Sequence, residues 1–148
     1  MRMAFTMIEL VFIIVILGIL AVVAIPKFAA TREDAKVSAT AHGIMTTAFE
    51  ISTYAMAQGQ VETDLKEMSN MAASMEKSKQ ARLSDNTAEY DFGDNKPCVT
   101  LAIDDPDADT VIMDISFAAS PDASCKKLQL LLDQGKFPMT LRGNTVVY

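Results

Sequence analysis

The sequence predicts an α+β protein in which one long N-terminal helix, membrane-spanning in its first half, packs on a small antiparallel sheet. Three observations carry that prediction. Phe5 to Ile25 is a 21-residue apolar run with a single charge, Glu9. From Lys27 to Ala57 apolar residues recur at steps of three and four. Beyond residue 88, short alternating segments are separated by Gly, Pro, Asp and Asn turns. The 148 residues suffice for one domain and an appendage.

The apolar run comes first. As a helix, 21 residues at ~1.5 Å each reach about 30 Å, the thickness of a bilayer's hydrocarbon core. An ordinary secretory signal would need a cleavage site after the run, and Ala21-Val22-Val23-Ala24 is the nearest match. Against that reading, the run continues through Pro26-Lys27-Phe28 into further helix. A count of basic residues puts Arg2 on one side and Lys27, Arg32 and Lys36 on the other, which favours a cytoplasmic C-terminal side. Glu9 has two readings. An ionisable group inside an apolar span is costly and finds a partner or a function, or it reaches back to the headgroups.

Past the run, Ala41, Ile44, Ala48, Ile51 and Ala55 form a helical stripe, with Met45, Phe49 and Met56 widening it. Gln58-Gly59 is the expected stop. His42 lies on this helix with no Cys or second His near in sequence, so it reads as a packed or solvent-edge side chain. A second helix is expected over Asp64–Lys77, with Val61, Leu65, Met68, Met71 or Ala72, and Met75 on one face. Ser84-Asp85-Asn86 breaks the pattern. Strands are expected at Glu89–Phe92, Val99–Asp104 and Thr110–Phe117. Pro121-Asp122 opens a third helix running to Asp133 and ended by Gly135. Leu141-Arg142-Gly143-Asn144-Thr145 then reads as a tight turn into a terminal strand, Thr145–Tyr148.

Composition narrows function. A formal charge of -6 leaves no broad basic surface for phosphate neutralisation, so direct nucleic-acid binding is not expected. No Ser/His/Asp set, phosphate-cradling Gly loop or zinc spacing is present, so neither catalysis nor a cofactor is expected. Asp104, Asp105, Asp107 and Asp109 offer oxygen ligands for calcium, but they lack the spaced loop and terminal Glu of an EF-hand and read better as a solvated hairpin turn. Cys98 and Cys125 are an even pair that would form one disulfide outside the cytoplasm, or two buried thiols inside it. Such a bridge would close a loop of 28 residues, worth roughly 3–4 kcal/mol.

The stretch Ala4-Phe5-Thr6-Met7-Ile8-Glu9-Leu10, followed by the apolar run and Ile25-Pro26-Lys27-Phe28, resembles the N-terminus of type IV prepilins and type II secretion pseudopilins. The resemblance covers about the first 35 residues. It implies a type IV pilin-like fold with a leader at 1–4, an assembly helix at 5–26 and an exported globular part at 27–148. A prepilin peptidase would cut between Ala4, where the family usually has Gly, and Phe5, and would methylate the new amine. Glu9 would then meet the Phe5 amine of a neighbouring subunit and set the stagger of the stacked helices. Gly18 and Pro26 match positions where the family's helix kinks; Pro removes a backbone donor and Gly weakens helix by about 1 kcal/mol. The cysteine pair is similar to the one that staples the variable region of many pilins.

The implied partners are identical or related pilin subunits in a helical filament, the prepilin peptidase, the inner-membrane assembly machinery, and lipid before assembly. The implied location is the inner membrane, then a periplasmic or cell-surface filament. Surface pilin and secretion pseudopilin share this N-terminus. From a different class, a monomeric membrane-anchored periplasmic binding or sensor domain would use the same span, with no need for Glu9 or a cut at Phe5.

Overall fold

The computed structural model describes residues 5–92 and 97–142, with backbone only at Pro26, Ala29 and Ala30. The first helix, α1, is Met7–Gln58 and is unbroken at Gly18 and Pro26. The chain divides into two compact units, Met1–Lys36 and Val37–Tyr148. In the first unit, Met7–Ile25 has a mean hydropathy of 3.2 and none of its residues is buried. Among the described residues it is the one helix long and apolar enough to cross a membrane.

In the second unit α1 turns amphipathic. Val37, Ala41, Ile44, Ala48, Ile51 and Ala55 are buried at the three-and-four spacing of one helix face. The helix stops as expected. Gly59 takes φ 70° and its N–H bonds the Ala55 carbonyl at 2.9 Å, a left-handed cap that a Cβ would penalise. The width of the stripe needs correction. Phe49 and Met56 are 68% and 72% exposed, and Met45 is half-buried, so the helix buries a narrower face than the sequence suggested.

The expected helix over residues 64–77 is two helices, α2 at Leu65–Met68 and α3 at Asn70–Lys77. Ser69 separates them with extended backbone, ending α2 and capping α3 through a 3.0 Å bond from the Ala72 N–H. Its own hydroxyl donates to Glu50 on α1 at 2.7 Å, and the Met71 N–H donates to the same oxygen at 2.9 Å. That anchor outweighs the propensity to continue the helix. Leu65, Met68, Ala72 and Met75 remain buried as their spacing implied. Met75 reaches Gly43 on α1, where a Cβ would fall 2.6 Å from the Met75 sulfur.

Five antiparallel strands form one sheet in the order β1-β2-β3-β4-β5. These are Ala81–Ser84, Thr87–Asp91, Pro97–Ile103, Val111–Phe117 and Met139–Arg142. The first and last were not expected from sequence. β1 and β2 form a hairpin around Asp85-Asn86, Asp85 taking φ 38°, so the residues read as a pattern break are its turn. Register pairs Ala88 with Leu101, Tyr90 with Val99, and Ile103 with Met113. That sets these side chains on one sheet face, in one buried cluster with Ile44, Ala48 and Ile51 of α1. Burying each large aliphatic side chain here contributes about 1.5–3 kcal/mol.

The last helix, α4, is Ala123–Leu131, capped by Asp122, whose carboxylate accepts from the Ser124 and Cys125 N–H groups at 2.8 and 3.0 Å. It ends at Leu132 in extended backbone, so Gly135 is not its terminator. Gly135 lies instead in a separate 3-10 turn, Gln134–Lys136, capped by Asp133. Leu141 and Arg142, expected to open a turn, lie instead in β5, where Arg142 pairs with Val111 across the sheet. The rest of that turn and the strand at 145–148 lie outside the described residues, as does Ala4.

Candidate functional site

The N-terminal turn of α1 holds the residues singled out by the sequence motif. Thr6 precedes the helix and Glu9 stands in its first turn. One Glu9 oxygen accepts from both the Thr6 N–H, at 3.3 Å, and the Thr6 hydroxyl, at 3.1 Å. The Glu9 N–H returns a 3.4 Å bond to the Thr6 Oγ1. This is a capping box, in which two helix-end donors are satisfied reciprocally. A carboxylate in this place is also favoured by the helix dipole. Thr6-x-x-Glu9 carries the capping-box signature in sequence, so this role for Thr6 was readable there and was missed. Phe5 is exposed beside it. Further along, a Cβ at Gly18 would meet nothing within 4 Å.

Cys98 and Cys125 are joined as a disulfide, with Cα atoms 5.7 Å apart and a sequence separation of 27. Both are buried, and the reading as two thiols falls away. The bridge fastens α4 to the start of β3. Gln129, one turn after Cys125, reinforces it, donating from Nε2 to the Cys98 carbonyl at 3.0 Å and the Ala118 carbonyl at 2.8 Å.

His42 is exposed at the edge of a groove of ≈ 310 Å³ lined also by Met45, Phe49, Lys136 and Met139. Across Phe49 a second groove of ≈ 270 Å³ includes Glu50, Tyr54 and Met68. The Tyr54 hydroxyl there is raised above its ordinary pKa by desolvation and then by the Glu62 carboxylate, 3.4 Å away. The acidic segment after β3 is a turn. The Asp105 carboxylate accepts from the Asp107 N–H at 3.0 Å, its carbonyl accepts from Ala108, and the Arg142 guanidinium donates to the Ala108 carbonyl. Among the described residues no three His, Cys, Asp or Glu side chains are grouped to hold a metal ion.

Inside the domain, the Tyr90 hydroxyl and Thr47 Oγ1 are buried with no hydrogen-bond partner among the described residues. They still act on each other: burial pushes the Tyr90 pKa up to about 12, and the Thr47 hydroxyl draws it down by a lesser amount. Glu50 is the side chain that sequence reasoning did not find. Nothing in a helical pattern marks a half-exposed carboxylate as the cap of a helix 19 residues on. Comparison with family models, with curated proteins and with solved structures finds no match for this chain.

Proposed function

We propose that this chain is a structural subunit of a type IV pilus or pseudopilus, anchored in the inner membrane by α1 and polymerised through that helix after cleavage before Phe5. The observation that carries the reading is the apolar Met7–Ile25 segment, wholly unburied in the single chain, with one carboxylate in its first turn. Such a surface needs lipid or other apolar helices around it. In a filament, the positive amine of each processed subunit would be buried at the helix end, and Glu9 of a neighbour would neutralise it. Such a pair is stabilising chiefly against the alternative of a lone buried charge, so its main contribution is register. The disulfide-bonded sheet domain would form the exported part.

The capping box supports a second reading, because Glu9 already has an own-chain partner in Thr6. A monomeric anchored domain would need nothing more from Glu9. Glu9→Gln separates the two. Glutamine also fits that capping-box position, so the reciprocal bonds of the helix start are kept while the charge and its smaller helix-dipole contribution are lost. The filament reading expects normal membrane insertion and few or no filaments, with a penalty of about 3–5 kcal/mol for the unpaired amine. Equal ratios of filament to membrane-held subunit would overturn it. Mass spectrometry of the mature N-terminus tests processing: methylated Phe5 is expected, and an intact Met1 or a cut beyond Ala24 supports the rival.

A further inference from the structure

The chain has ten methionines and a single histidine, and the filament reading gives none of them a task. Some of the thioethers are committed to the core. Met68, Met75 and Met113 are buried, and the Met68 sulfur accepts the Glu62 N–H at 3.3 Å. Met45 and Met139 differ. Each is half-buried with its body packed against the core cluster, and both line the same ≈ 310 Å³ groove as His42. The companions that His42 lacks among Cys and His side chains are thioethers.

The placement follows from the elements. His42 and Met45 stand three residues apart on α1, one turn along a single helix face. Met139 opens β5 and reaches the groove from a separate element. Register sets it opposite Met113 of β4, whose buried side chain ties the pair of strands to the core. Two elements thus bring three donors to one groove, and among the described residues none of the three is taken up in a hydrogen bond or ion pair.

Donor chemistry selects the ligand. Thioether sulfur is soft and imidazole nitrogen borderline, a set suited to monovalent copper and poor for calcium or magnesium, which take oxygen. Zinc draws on thiolate, imidazole and carboxylate. Both cysteines are closed in the disulfide, and among the described residues no three His, Cys, Asp or Glu side chains are grouped. The Phe49 ring lines the groove as well, and an aromatic face attracts a cation at short range. Lys136 is there too, but it is exposed and its long stem lets the ammonium turn to water.

We propose that His42, Met45 and Met139 bind one monovalent copper ion in this groove. Methionine's three rotatable bonds let both sulfurs close on the ion while their bodies stay packed. The site lies within the second unit and does not depend on the filament reading.

The test uses the full chain in detergent, with isotope-labelled methionine methyl groups and silver(I) as a redox-inert probe of the same charge and softness. Copper itself is then titrated, kept monovalent by ascorbate, against a chromophoric copper chelator. One ion per chain is expected, moving the Met45 and Met139 methyl signals and the His42 ring signals while Met68, Met75 and Met113 stay in place. Met45→Leu, Met139→Leu and His42→Asn should each weaken copper at least about tenfold, the leucines keeping the packing volume. Met56→Leu, at an exposed thioether that is not part of the groove, should leave binding unchanged. Silver shifts centred on other methionines, an affinity unmoved by the three substitutions, or zinc bound as tightly as copper overturns the proposal, as does no shift at all. The Met113 signal reports whether each variant is folded; where one is not, the shifts in the parent chain decide.

Discussion

Replacing Tyr90 by Phe should stabilise the domain. Tyr90 is fully buried on β2 and, among the described residues, neither its hydroxyl nor that of Thr47 on α1 has a hydrogen-bond partner. An orphaned buried hydroxyl costs about 1–3 kcal/mol of desolvation, and removing it leaves the ring's packing in place. Since the Thr47 hydroxyl still acts on the phenol, drawing its pKa down, the gain at pH 7 is set at the low end, about 1 kcal/mol. Alkali should widen the gap. The folded pKa of Tyr90 is about 12 against an ordinary 10.0, so the folded state holds the phenolic proton more tightly. That contribution is complete below pH 10 and is lost as pH rises through about 12. Two units at 1.36 kcal/mol each amount to roughly 3 kcal/mol, a loss the Phe variant cannot suffer. Urea unfolding of the full chain in detergent, followed by circular dichroism at several values from pH 7 to 12, measures both effects. A variant destabilised by more than about 1 kcal/mol at pH 7 would refute the reasoning, since it would mean that the hydroxyl is usefully bonded.

Three further outcomes follow from the packing of the same domain. Glu50→Ala removes the acceptor of the Ser69 hydroxyl and the Met71 N–H; a loss of about 2–4 kcal/mol is expected, with faster amide exchange confined to α3. Unchanged exchange there would show that α3 does not depend on the anchor. Gly43→Ala improves helix propensity by about 1 kcal/mol, but its Cβ would fall 2.6 Å from the Met75 sulfur. Overpacking at about 1–3 kcal/mol should prevail, and a melt of Gly43→Ala in a Met75→Ala background should show the penalty relieved. Replacing Cys98 and Cys125 together by Ser should lower stability by about 3–4 kcal/mol, read as a drop in denaturation midpoint; coincident midpoints would count against a structural disulfide.

Long periodic segments were legible in the sequence, and short ones were not. The buried stripe of α1 and its stop at Gly59 follow from spacing and one glycine, because a helix face that long has one way to meet a core. β3 and β4 were found because Val99, Leu101, Ile103, Val111 and Met113 alternate over seven-residue strands. β1 and β5 hold four residues each and few β-branched side chains, so only their neighbours decide them. The split between α2 and α3 was hidden for a related reason: the apolar spacing runs through Ser69, and the break is dictated by Glu50 on a distant helix. At the N-terminus the pattern gave Glu9 but not its local partner. That partner is a hydroxyl three residues earlier, on Thr6, which neither charge nor apolar spacing marks.

The bridge between Cys98 and Cys125 makes a closed covalent ring that contains β3, the acidic turn and β4. Such a ring can be edited from within. Strand pairing between β3 and β4 and the crosslink at their base hold the frame, while doubling the length of a flexible loop costs only about 0.6 kcal/mol. Insertions between Asp104 and Thr110 would therefore leave α4, the core and the apolar N-terminal helix as they are, and would change only what this end of the domain displays. A surface can diversify there, one substitution or insertion at a time, while the scaffold that carries it stays constant.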